Sequence, residues 1–183
     1  MKRMIPVVLT ILAISASAFA QTPEQTIEKA LLAAPRQLKE GTTVIKWKSD
    51  FTYDTLKKGT NRLVCYDRSG QPGQQPFAVE CTSMANLERV AQSLKIEATV
   101  TEKKAQQAAF EAVDKDGTWV KPEFGSLWIH FGGPDPEHAR MHTTVAVPGA
   151  TTQSMGLPDN NSKGGMWIMY AGSSAAHLMT PGS

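Results

Sequence analysis

Apolar residues along this chain recur at two spacings, and the switches between them predict the order of elements. Ile27, Leu31 and Ala34 fall at helical spacing behind Thr22-Pro23-Glu24-Gln25. There Thr22 can cap, Pro23 suits the first helical position and Gln25 can reach back to complete a capping box, while Pro35 ends the helix. Residues 42–48 alternate as a half-buried strand does, with Val44 facing away from Ile45 and Trp47, and residues 61–66 and 77–81 read as two further strands. From position 83 to about position 113, Met84, Leu87, Ala91, Leu94, Ala98, Ala105, Ala109 and Ala112 form one stripe of a long amphipathic helix. Its middle, residues 96–101, is rich in β-branched side chains, so the helix breaks there or gives way to a strand.

Asp114-Lys115-Asp116-Gly117 is a turn signal, and residues 126–131, 141–147, 166–171 and 175–179 then read as strands punctuated by Gly and Pro. Helix, strands, helix, strands is not the alternating rhythm of a parallel sheet. The expected fold is therefore α+β, with a largely antiparallel sheet, an N-terminal helix and one long or broken central helix. Neither a repeat nor a linker divides residues 21–183, which read as a single domain.

The first twenty residues follow a different logic. Lys2 and Arg3 precede an apolar run over residues 5–14, and Ala18-Phe19-Ala20 supplies a small-x-small cleavage pattern, which together predict a cleavable export signal over residues 1–20. Gln21 follows, so no lipid-bearing Cys is expected there. The apolar run falls short of the roughly 20 residues a bilayer span requires, and no later stretch approaches that length. The expectation is a periplasmic or secreted protein with no integral membrane segment after cleavage.

Without residues 1–20 the chain has 163 residues, 17 of them basic and 17 acidic, and a formal charge of zero. That balance argues against a nucleic-acid partner, which would demand a basic surface. Cys65 and Cys81 are the only two cysteines, and in an oxidising compartment they predict a disulfide. It would close over the polar, Gly/Pro-rich residues 67–76 and stabilise the fold by about 3 kcal/mol. A metal-thiolate pair would favour closer spacing, and a redox couple a Cys-x-x-Cys arrangement.

All four histidines, His130, His138, His142 and His177, lie in the last third of the chain. His138 and His142 are four apart, but Pro134 and Pro136 favour a loop over the helix that would align them as ligands. Strand parity instead places His177 with Met179 and Trp167 with Met169. Joined by His142, these residues would offer imidazole and thioether donors, a soft set that suits Cu(I) in an exported protein better than magnesium or calcium. The competing reading is that the Met side chains fill core gaps and the His rings hydrogen-bond within it. Gly172-Ser173-Ser174-Ala175 only partly matches a nucleophile elbow, since Ala176 stands where the second Gly belongs. Glu80, Glu123, Asp135 and Glu137 obey no pairing rule and read as exposed loop charges. Trp47, Trp119, Trp128 and Trp167 could line a groove or fill the core, and Trp119, in the polar segment 116–122, is the one expected to be exposed.

Three blocks resemble a family of exported bacterial proteins. Leu56-Lys57-Lys58-Gly59-Thr60-Asn61, leading to Cys65 and then to Gln71-Pro72-Gly73-Gln74-Gln75-Pro76 before Cys81, is similar to that family's Glu-Gly-Thr-Asn-Gly-Trp-Thr-Cys and its second-Cys loop, with Leu63 and Val64 in place of Trp and Thr. His142 with Val145-Ala146-Val147-Pro148 and Leu157-Pro158 resembles its Pro-His-x-Met segment, with Met141 at the Pro position and Thr144 at the Met position. Gly164-Gly165-Met166-Trp167-Ile168-Met169-Tyr170, Gly172 and Ala176-His177-Leu178-Met179-Thr180-Pro181 resemble its Gly-Gly-Pro-Trp-Val-Met-Trp and Ala-His-x-Met-x-Pro ending. The resemblance singles out His142 and His177 and implies export, but no activity.

The leading expectation is a non-catalytic exported domain that binds a small molecule or a protein partner through its carboxy-terminal sheet. The alternatives are a copper or zinc protein using His142, His177, Met179 and Met169, and an enzyme with a His-centred site.

Overall fold

The computed structural model describes residues 21–162 and 164–180, so the expected export signal and Pro181 lie outside the described residues. Helix α1 (Pro23–Ala30) opens on the predicted capping box: Thr22 Oγ1 accepts from the Gln25 N–H at 3.3 Å, and Gln25 Oε1 from the Thr22 N–H at 3.0 Å. It tightens into a 3₁₀ turn (Leu31–Ala33) and stops before Pro35.

The strands are β1 (Thr43–Trp47), β2 (Tyr53–Lys57), β3 (Leu63–Asp67), β4 (Phe77–Ser83), β5 (Leu127–Gly133), β6 (Arg140–Ala146), β7 (Trp167–Met169) and β8 (His177–Met179). They form one eight-stranded sheet in the order β2-β1-β3-β4-β5-β6-β8-β7. Every neighbouring pair is antiparallel except β1–β3, and the fold is α+β, as expected. Sequence reading misses β2, an edge strand whose positions are all exposed or half-buried and therefore carry no alternation. It also misses α4 (Thr152–Met155), a single capped turn.

The long helical stripe is two helices, α2 (Leu87–Thr99) and α3 (Lys103–Lys115). The break falls in the β-branched stretch, where Val100 is extended, and the Glu102 carboxylate then accepts from the Lys104 and Ala105 N–H groups to start α3.

Period-two alternation sends the two faces of the sheet into different cores. Cys65, Val79, Cys81 and Ile129 pack against Ala30, Leu31 and Ala33 on the α1 side. Ile45, Val64 and Tyr66 pack beneath Leu87, Val90 and Leu94 of α2 on the other. The predicted disulfide joins Cys65 to Cys81, which stand directly opposite each other on β3 and β4 with both side chains fully buried. Among the described residues no helix is long and apolar enough to cross a membrane.

Candidate functional site

Because Cys65 faces Cys81 on the α1 side, the next residues inward, Tyr66 and Glu80, face each other on the α2 side. The register continues outward: Glu80 opposes His130, and His130 opposes His142. Four ionisable side chains, Tyr66, Glu80, His130 and His142, thus form a straight row across β3, β4, β5 and β6, on a face otherwise roofed by helices. Glu80 sits on a central strand with its side chain only 12 % exposed, in contrast to the exposed loop charge expected for it.

Arg68, just beyond β3, holds the row's acid in place. Its Nη1 lies 3.5 Å from Glu80 Oε2, its Nη2 donates to Glu97 of α2, and its Nε donates to Gln71 Oε1 at 2.5 Å. His130 Nδ1 stands 3.4 Å from the other Glu80 oxygen. Burial works to raise the Glu80 pKa, but the His130 hydrogen bond and the Arg68 charge outweigh it and hold the carboxyl below its usual range. Glu97 goes the other way, since burial outweighs Arg68 and pushes it up. Burial, then the neighbouring Glu80, drives the Tyr66 phenol well above its ordinary value, and its hydroxyl is buried beside that carboxylate.

Between this floor and the helices lies a cavity of about 310 Å³. Trp128, Thr144 and His177 continue the floor, while Arg89 and Ser93 of α2, Phe110 of α3 and Trp119 form the roof. The roof is held by one face of α2. Asn86 Oδ1 accepts from the Glu123 N–H at 2.8 Å, Arg89 Nη1 donates to the Val120 carbonyl at 2.6 Å, and Gln92 exchanges hydrogen bonds with Thr118 and Val120. This three-residue spacing straps the returning chain over the sheet. Trp119 is consequently half-buried rather than exposed as expected: it stacks on Phe110 at 5.0 Å, and the Arg89 guanidinium lies 3.4 Å from its ring centre.

Tyr170, which follows β7, also lines the cavity. Its φ of +52° places a bulky residue in the left-handed region, a strain that clusters at functional sites. The ring tilts over His177 at 5.7 Å.

The residues predicted from strand parity do come to one face. Met169 opposes His177, Met179 opposes Thr144, and Ala146 opposes His177, so His142, Met169, His177 and Met179 all point to the α2 side of β6, β8 and β7. Burial lowers the His177 pKa; a hydrogen bond to the Ala175 carbonyl opposes the shift, and the nearby His142 adds to it. The carbonyl fixes the proton of the neutral ring on Nδ1 and leaves Nε2 as the lone-pair nitrogen. Among the described residues no group of three or more His, Cys, Asp or Glu side chains could hold a metal ion, so the two thioethers would have to complete any donor set here. His138 is elsewhere, in the loop before β6, paired with Asp135. Ser174 Oγ accepts from Arg89, and Nδ1 of His177 is engaged by a carbonyl, so this pair does not form a Ser–His couple through Nδ1.

Sequence reading does not single out Tyr66, Arg68, Arg89, Glu97 or Tyr170. For the first, a signal exists: once Cys65 and Cys81 are paired, Tyr66 and Glu80 must meet on the opposite face. For Arg89 there is none, because a polar residue beside Leu87, Val90 and Leu94 reads as solvent-facing. No family model, no curated protein and no solved structure matches this chain.

Proposed function

We propose that this protein is an exported, non-catalytic binding domain whose ligand is a small organic molecule held between the sheet and the α2–α3 roof. The observation that carries this reading is the cavity itself: a three-layer fold places solid core there, yet about 310 Å³ stays open, walled by Phe110, Trp119 and Tyr170 above a floor that joins Tyr66 and Trp128 to polar groups. Apolar walls with a few fixed polar groups are the usual make-up of a ligand pocket. The buried disulfide supports an oxidising compartment. Glu80 engages His130 and a backbone carbonyl engages His177, contacts that fix the orientation of both rings.

A panel of one- and two-ring aromatic compounds, charged and neutral, titrated against tryptophan fluorescence tests this. At least one is expected to bind, and Ala146→Phe, which fills the cavity from β6, is expected to abolish the signal while leaving circular dichroism unchanged. Binding that survives in Ala146→Phe would overturn the assignment of the cavity.

A second reading, copper or zinc on His142, His177, Met169 and Met179, is favoured by their shared face and by the proximity of the two imidazoles. Its test is elemental analysis of untagged protein, with the double variant His142→Ala, His177→Ala as control. Near-stoichiometric metal lost in the double variant would support it, and metal-free folded protein would rule it out.

A further inference from the structure

The polar groups around the cavity are one-sided. Two buried arginines line it, and they are not alike. Arg68 is matched by Glu80 and Glu97. Arg89, only 4 % exposed, is in no ion pair among the described residues, and only its Nη1 meets protein acceptors, the Val120 carbonyl at 2.6 Å and the Ser174 hydroxyl at 3.2 Å. The Trp119 indole N–H, on a residue lining the same cavity, is buried without a partner. Guanidinium and indole only donate hydrogen bonds, so the cavity has donors and a positive charge in surplus and too few acceptors.

The two acids that line the cavity do not redress this. Glu80 is taken up by Arg68 and His130, and Glu97 by Arg68. Arg89 stays charged at neutral pH: burial pushes its pKa down to about 10, with Asp114 acting against the shift. Among the described residues no carboxylate touches Arg89, Asp114 acting on it only through space; a buried cation so placed is costly to the folded protein, and a bound anion would relieve that cost. One unmatched cation calls for one negative charge. A guanidinium presents a planar fork whose geometry matches a carboxylate. A doubly charged phosphate would face Glu80 and Glu97 with no second free cation to balance it.

Resting on the small-molecule reading above, we propose that the ligand is a monocarboxylic organic acid with a flat apolar body. Its carboxylate sits on Arg89, and its body lies between Trp128 on the floor and the Phe110, Trp119 and Tyr170 rings. The cavity is at the small end of the roughly 300–1,000 Å³ typical of ligand pockets, which fits a one- or two-ring acid.

The test compares acids with their neutral amides by isothermal titration on the exported form of the chain: phenylacetate with phenylacetamide, and indole-3-acetate with indole-3-acetamide. At least one acid is expected to bind at least tenfold more tightly than its amide, and Arg89→Met is expected to bring the acid down to the amide's affinity. Equal binding of acid and amide by the wild type, or a preference for the acid that survives Arg89→Met, would overturn the assignment of Arg89 and leave the small-molecule cavity standing. If Arg89→Met does not fold, the wild-type ratio decides alone. If none of the four compounds binds, the cavity reading falls and the acid with it.

Discussion

Arg68 and Glu97 are joined by an ion pair between the end of β3 and helix α2, and that pair is the wall between two cavities. On one side is the aromatic cavity above the titratable row; on the other a space of about 370 Å³ opens beside Trp47, Phe51 and Leu94. Removing the guanidinium would leave Glu80 and Glu97 facing each other without a cation. Arg68→Met is expected to lower stability by about 3–5 kcal/mol at pH 7. Without Arg68 both carboxyls bind protons more readily in the folded state, so the deficit is expected to shrink as pH falls from 7 toward 5. Urea denaturation at the two pH values checks this, and a deficit that does not change with pH would contradict it.

His177 gives the wild type its own pH dependence. Burial holds its folded pKa below the ordinary 6.5, so above that value the ring is neutral whether the chain is folded or not. Below it the unfolded chain takes the proton first, and stability is lost as pH falls through the folded value. Denaturation midpoints measured from pH 7 to pH 5 are expected to fall less steeply in His177→Gln than in the wild type.

Gly59 is small because backbone passes it. A Cβ there would lie 2.2 Å from the Gly41 carbonyl oxygen and 2.5 Å from the Thr42 carbonyl carbon, neither of which a rotamer change can move aside. Gly59→Ala is expected to cost on the order of 3 kcal/mol, whereas Lys58→Ala, at the exposed neighbouring position, stays within about 0.5 kcal/mol of the wild type. Thermal unfolding of the two variants decides it.

Tyr170 trades stability for a ring at the cavity. A left-handed backbone costs a non-glycine residue about 1–2 kcal/mol, and the residue remains 48 % exposed. Tyr170→Gly is expected to unfold at a temperature no lower than the wild type and to bind aromatic compounds more weakly. A variant that is destabilised yet binds normally would show that the ring acts in packing alone.

Local signals carried most of the elements and half of the site. The Thr22 cap, the β-branched break before Glu102, the alternation of residues 42–48 and the extended character of the segments that form β3, β4, β5 and β6 are properties of neighbouring residues, and the structure follows them. Parity also placed His177 with Met179. What it could not supply was register between strands, which sets Glu80 against His130 and Ala146 against His177. Nor could it show that residues 118–126 fold back over Asn86, Arg89 and Gln92. That contact turns an apparently solvated helix face into the roof of a cavity, and it arises between segments some thirty residues apart. β2 was illegible for the opposite reason: an edge strand with neither face buried has no pattern to read.

The strand order at the carboxy-terminal side of the sheet, β6-β8-β7, puts the later strand inside the earlier one. Trp167–Met169 has no ladder of its own until His177–Met179 emerges and slides between it and Arg140–Ala146. A chain paused partway through synthesis therefore carries β6 as a naked edge, with the histidine that closes the cavity floor still to come. β8 is the keystone of this half of the sheet: the cavity floor is complete only once it is in place, and until then the β6 edge is open to any strand that can pair with it.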